Sequence, residues 1–149
     1  MLHIQQPGVT RTDLVALHAF KEAVADAGLS AETLQDAGTA LIGASTVGGI
    51  CLTDELYADA NHTGNSGSEF LGSYSNSACT LFLQSQFKIG GIVNTFNTAC
   101  SSSANSIMYG VRLIKNGLAK RVIAGGVDTL AKFTVNGFNA LMILSSEPC

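Results

Sequence analysis

The sequence predicts a layered α/β fold on a mixed, mostly parallel sheet, and two stretches carry that prediction. In the first, Ile92 to Ala99 is β-branched and Asn-rich and contains Phe96, a composition that suits a strand. After Cys100 the apolar period changes. Ala104, Ile107, Met108, Val111, Ile114 and Leu118 recur at three and four residues, which marks the face of a helix over Ser101–Asn116. Gly117 follows as a C′ residue, with Lys115 at the negative end of the helix dipole. Val122 to Val127 then closes a strand–helix–strand unit, most simply a right-handed parallel crossover. The second stretch is Thr39–Ala44, a short buried strand that runs into the Gly-rich turn Gly43-Ala-Ser-Thr-Val-Gly-Gly49.

The remaining elements follow in chain order. Met1 to Gly8, with Pro7 and His3, is a short tail. Thr12 or Asp13 is suited to cap a helix whose apolar stripe is Leu14, Leu17, Phe20, Val24 and Ala27, with Lys21 and Glu22 facing solvent and Gly28 at its end. Ser30–Gln35 reads as a connector or short helix. For the turn at 43–49, a phosphate cradle competes with close backbone packing. It has neither the Gly-Lys-Ser/Thr of a P-loop nor the spacing of a dinucleotide fold, so packing is favoured. A helix is expected over Ile50 to Asp59, then a polar Gly/Ser-rich loop from Asn61 to Ser68. Asn76 is the expected cap of a helix carrying Cys79, Leu83 and Phe87, which Gly90-Gly91 ends before the central strand. Past Asp128 and Thr129, a short helix bearing Phe133 and Phe138 is expected. Those two rings are core residues or the lining of an acyl pocket, and core is the plainer reading.

The 149 residues are enough for one domain with a core. Charged residues make up 13%, well below the ~25% of an ordinary soluble domain. That deficit points to surface covered by a partner or by further chain. A net charge of −3 leaves no footprint for nucleic acid or an anionic membrane. The four cysteines are widely and irregularly spaced, with no zinc-like pattern, and no apolar run approaches a membrane span. Without a secretory signal they read as reduced thiols of a cytoplasmic protein, and the acceptor pattern Asn61-His62-Thr63 carries little weight.

Cys100 is the candidate functional residue. It falls where a strand turns into a helix, among the small neighbours Ala99, Ser101, Ser102 and Ser103. A thiol at a helix N-terminus meets unpaired N–H groups and the positive end of the dipole, and both favour thiolate. The same N–H groups, that of Cys100 included, are suited to hold a developing oxyanion. The arrangement is that of a nucleophile elbow with sulfur in place of oxygen. The plainer alternative is a small buried hydrophobe, the usual lot of a free cysteine. His3, His18 and His62 lie in a tail, on a helix flank and in a loop, and are poor candidates for a base.

Thr98-Ala-Cys-Ser-Ser-Ser-Ala-Asn-Ser106, a helix, then Ala124-Gly-Gly-Val-Asp128 resembles the active-site block of β-ketoacyl-[acyl-carrier-protein] synthases, condensing enzymes of the thiolase superfamily. The order of elements from Arg11 to Cys149 supports the likeness, including Phe87-Lys-Ile-Gly-Gly91 before the central strand. The resemblance implies half of a thiolase-like αβαβα fold and Cys100 as the acyl-accepting nucleophile. It implies acyl carrier protein as the bearer of acyl and malonyl groups, and a homodimer paired through the 92–98 strand. It implies neither metal nor bound cofactor. The loop after Asn61 is expected near the substrate entrance.

Measured against the family, the chain lacks a glycine-containing opening strand and a second half that supplies two histidines, a lysine and a Gly-Phe loop. It is therefore expected to be a piece of a condensing enzyme, inactive in condensation and poorly soluble or partly folded by itself. Close alternatives are a polyketide or polyene ketosynthase and a thiolase. The Ser-Ser-Ser flank and the Ala-Gly-Gly-Val-Asp strand end fit the synthases better than a thiolase. A non-catalytic ketosynthase-like dimer partner is a further alternative, but such partners usually replace the cysteine.

Overall fold

Among the described residues, nine regular elements build three layers around a small parallel sheet. The computed structural model describes residues 8–62, 64 and 67–147. The elements are α1 (Arg11–Asp26), α2 (Ala31–Gln35), β1 (Thr39–Ala44), α3 (Thr53–Ala60), α4 (Ala78–Phe87), β2 (Val93–Phe96), α5 (Ser102–Lys115), β3 (Arg121–Gly126) and α6 (Lys132–Ala140). Single 3₁₀ turns at Ile50–Leu52 and Ala99–Ser101 lead into α3 and α5. Met1–Pro7 of the expected tail, with His3, and Thr63, Pro148 and Cys149 lie outside the described residues.

The sheet is parallel throughout, in the order β2-β1-β3. Leu41 is in register with Val93 on one side and Ile123 on the other. The crossover from β2 through α5 to β3 therefore skips over β1. Because strand side chains alternate, the two sheet faces feed separate cores. Leu41 packs with Ala16, Leu17 and Phe20 of α1, Leu34 of α2, Cys79 and Leu83 of α4, and Ile89. Ala40 and Ile42 point the other way, onto Leu113 of α5 and Ala119. Phe20 and Phe87 lock α1 to α4, with ring centroids 4.4 Å apart.

Several details differ from the sequence expectations. The cap of α1 is Thr10, not Thr12 or Asp13. Its hydroxyl accepts from the Asp13 amide while the Asp13 carboxylate accepts from the Thr10 amide, a capping box. Thr12 is instead buried, its hydroxyl 2.7 Å from that of Thr129. Ser77, not Asn76, precedes α4. Strand β2 stops at Phe96, three residues before the expected end, because the chain is already turning towards α5.

The sequence leaves open which side of α5 meets the sheet. Ile107, Met108, Val111 and Ile114, the apolar stripe that marks this helix, are exposed, as is Leu118 just past its end. The residues against the sheet are Ser102, Ser106, Gly110 and Leu113. The reason is distance. The strands under α5 present small residues such as Ala40, Ala44 and Gly126, so the helix seats closely only through a small ridge of its own. Phe133 and Phe138 are likewise 55% and 48% exposed and so are not core, and Phe133 lines a small cleft of about 90 Å³ with Ile50, Cys51 and Lys132.

Candidate functional site around Cys100

The C-terminal ends of the three strands form the floor of the site. The Ser45 amide donates to the Phe96 carbonyl (3.2 Å), tying the end of β1 to the end of β2. The Val127 amide donates to the Ala44 carbonyl (3.1 Å), tying β3 to β1. Gly126 lets the head of α5 rest on this floor. A Cβ there would lie 2.6 Å from Ser103 Oγ and 3.0 Å from Ala44 Cβ, so no larger residue fits without displacing one of them.

Asp128 clasps the Gly-rich turn from beyond β3. Its carboxylate accepts from Ser45 Oγ (2.8 Å), the Thr46 amide (3.0 Å), the Val47 amide (3.1 Å) and the Thr46 hydroxyl. Partial burial pushes this carboxyl up. The hydroxyls of Thr46 and Ser45 and the amides of Val47 and Thr46 outweigh it and hold the group below the usual carboxylate range. The amides that a phosphate would use are thus taken by the protein's own anion. Gly49 is packed so tightly that a Cβ would sit 1.9 Å from the Ser73 carbonyl oxygen. The turn is a packing device, the plainer of the two sequence readings.

Above the floor, the chain leaves β2 at Phe96 and reverses over Asn97, Thr98 and Ala99. Ala99 has a φ of +52°, a left-handed conformation that costs a residue with a Cβ on the order of 1 kcal/mol. Cys100 follows in the 3₁₀ turn that opens α5, and it is exposed. The strand-to-helix position anticipated for it is therefore the one observed, and the buried-hydrophobe alternative does not describe it. The turn is bound across on both sides. The Ser101 hydroxyl donates to the Thr98 carbonyl (2.7 Å), and the Ser102 hydroxyl donates to the Ala99 carbonyl (2.7 Å) while accepting from the Thr98 amide (2.9 Å). Asn105 Nδ2 donates to Thr98 Oγ1 (2.7 Å).

The other thiols differ. Cys79 is buried under α1, and that burial, with the nearby Asp13 carboxylate, pushes it up to about 12. Cys51 is half-buried and also raised by its burial. His18 lies 3.5 Å from Glu22 on the outer face of α1, and His62 Nδ1 lies 3.3 Å from the Ala58 carbonyl oxygen. An apolar cavity of about 280 Å³ lies under α1 and α4, lined by Phe20, Leu41, Cys79, Leu83 and Ile123 among others. Cys100 is not among the residues that line it. Among the described residues no group of three or more His, Cys, Asp or Glu is placed to hold a metal ion. Nor, among them, is any helix long and apolar enough to cross a membrane. Sequence reasoning gave Asp128, Thr98 and Asn105 no role of their own. The adjacency of Asp128 to a Gly-Gly strand end was the available signal for the clasp.

The family model for the N-terminal domain of β-ketoacyl synthases matches residues 5–149. The chain is 32% identical over 138 residues to 3-oxoacyl-[acyl-carrier-protein] synthase 1 of Haemophilus influenzae, covering 87% of this chain and 32% of that protein. The chain thus spans about a third of the length of the curated relatives it matches. Among solved structures, a β-ketoacyl synthase from Burkholderia phymatum superposes on 93% of the chain and 35% of its own, with a TM-score of 0.80 at 22% identity, a likeness of fold. The ketosynthase ApeO, solved in complex with its chain length factor ApeC from Xenorhabdus doucetiae, is 30% identical. It covers 93% of this chain and 35% of its own with a TM-score of 0.67.

Proposed function

The chain belongs to the β-ketoacyl synthase family, and from that premise we propose that it carries the acyl-accepting half of a 3-oxoacyl-[acyl-carrier-protein] synthase active site, with Cys100 as the nucleophile. One observation carries the reading: Cys100 stands exposed at the head of α5, above the joined ends of three parallel strands. Crevices beyond the carboxyl ends of parallel strands are where α/β folds place their chemistry.

In the first step the Cys100 sulfur attacks the carbonyl carbon of a thioester borne on acyl carrier protein. The Cys100 amide is a donor to the tetrahedral oxyanion. Collapse breaks the bond to the carrier thiol, which leaves with a proton, and the acyl group stays on Cys100. In the second step malonyl carrier protein loses carbon dioxide. The resulting carbanion attacks the Cys100 thioester, a carbon–carbon bond forms, and the sulfur leaves. The product is a 3-oxoacyl chain two carbons longer.

The groups that promote decarboxylation are expected from outside the described residues, so condensation is a property of a larger assembly. The place of β2 at the edge of the sheet formed by the described residues supports pairing with a second copy. A cytoplasmic setting suits the free thiols Cys51, Cys79 and Cys100 among the described residues.

A second reading is supported by the Xenorhabdus relative, a ketosynthase bound to a chain length factor: this chain is one member of such a pair. The presence of Cys100 puts it on the ketosynthase side. Incubating the full chain with acyl-loaded carrier protein and reading intact mass tests the proposal. Acyl mass is expected on the wild type and on Cys51→Ala, and absent from Cys100→Ala. Equal loading of Cys100→Ala would overturn it.

A further inference from the structure

We propose that Asn105 is a positioning residue for Cys100, acting as a clasp that closes the turn in which the sulfur sits. The inference rests on the reading of Cys100 as the acyl acceptor. Asn105 lies one turn into α5, yet its side chain reaches back across the elbow. Nδ2 donates to Thr98 Oγ1 at 2.7 Å and approaches Ser101 Oγ at 3.3 Å. Thr98 is two residues before the cysteine and Ser101 is one after it. The Ser101 hydroxyl itself donates to the Thr98 carbonyl at 2.7 Å and lies 3.2 Å from Thr98 Oγ1. Three side chains thus form a closed ring around the strand-to-helix reversal, with Cys100 on its rim.

The ring has work to do because the turn is strained. Ala99, between Thr98 and Cys100, is held at a φ of +52° with no glycine to relieve it. An alanine in that conformation persists only when its surroundings over-determine it. The backbone bond from the Ser101 amide to the Thr98 carbonyl is 3.2 Å long, so the side chains bind the two ends of the turn more closely than the backbone does. Ser106 and Gly110, its neighbours on α5, are buried against the sheet, so the part of the helix that carries Asn105 is a fixed anchor. Removing the Asn105 amide leaves Thr98 free to swing, lets Ala99 relax, and shifts the sulfur from its approach to the thioester. Asn105 touches no reacting atom in this scheme and works only through the turn.

Alkylation of Cys100 by iodoacetamide, followed by peptide mass mapping across pH 6 to 9, reads the sulfur's presentation without needing a carrier protein. Asn105→Ala is expected to slow Cys100 labelling about fivefold to tenfold, the worth of one hydrogen bond, while leaving Cys51 labelling and the melting temperature unchanged. Thr98→Val, which removes the acceptor, should cause the same loss, and the double variant should be no worse than either single one. Thr98→Ser should retain the wild-type rate. Asn105→Asp keeps the shape and the contact with the Thr98 hydroxyl but adds a negative charge near the sulfur. It should move the pH profile of labelling upward rather than lower the rate uniformly. Wild-type selectivity for Cys100 with an Asn105→Ala rate within twofold of it would overturn the clasp and leave the acyl-acceptor reading standing. Additive losses in the double variant would overturn it as well. If wild-type Cys100 labels no faster than Cys51, the acyl-acceptor reading falls first and the clasp with it.

Discussion

Asp128 shows how one side chain can hold two strand ends together. It bridges 80 residues of sequence, joining the end of β3 to the turn after β1 through four donors, two of them backbone amides. A carboxylate held below its ordinary range prefers the charged form in the folded state. Its stabilising contribution is therefore complete above the unfolded value of ~3.9 and drains away as pH falls through the lower folded value. Asp128→Asn should cost about 1–2 kcal/mol at neutral pH, measured by urea unfolding, because an amide cannot accept all four bonds and the site is partly solvated. The gap between variant and wild type should close below about pH 4. A constant gap down to pH 2 would show that charge is not what the turn uses. The thiols allow a second check at this scale. Buried Cys79, raised to about 12, should stay unlabelled by iodoacetamide at pH 8 until the chain unfolds, while exposed Cys100 labels.

At the scale of elements, α5 is a helix with two apolar claims and one small ridge. The periodicity of Ile107, Met108, Val111, Ile114 and Leu118 is real, and it is helical, but it faces away from the sheet. Ser102, Ser106 and Gly110, spaced at four, face the sheet, and Gly110 lets the helix axis approach Val122 of β3. Close approach is what brings the head of α5, and with it Cys100, directly over the strand ends. Gly126→Ala tests this. The added Cβ meets Ser103 Oγ and Ala44 and should lift the first turn of α5, costing about 1–3 kcal/mol by overpacking and slowing Cys100 labelling. Unchanged labelling with a lowered melting temperature would separate stability from presentation of the sulfur.

For the whole molecule, the outward stripe of α5 continues a broader pattern. Leu130, Phe133, Leu141 and Ile143 are exposed too, and so little charge is available that these residues are not diluted on the surface. Apolar patches of that kind mark interfaces. The 149 residues by themselves are expected to self-associate through these apolar faces. Sedimentation together with a thermal melt decides this, and a cooperative melt of a monomer would contradict it. The sequence by itself determined the order of elements, the parallel α/β class, the strand-to-helix seat of Cys100 and the family, because local periodicity, turn chemistry and one nine-residue motif carry that information along the chain. Only the tertiary structure decided that β1 lies between β2 and β3, that α5 buries its small face, and that Asp128 and Asn105 close the two turns beneath and beside the cysteine. Those are choices between residues far apart in sequence or between two faces of one helix. Period alone is blind to which face meets a partner, and hydrogen bonds across a fold leave no mark in spacing.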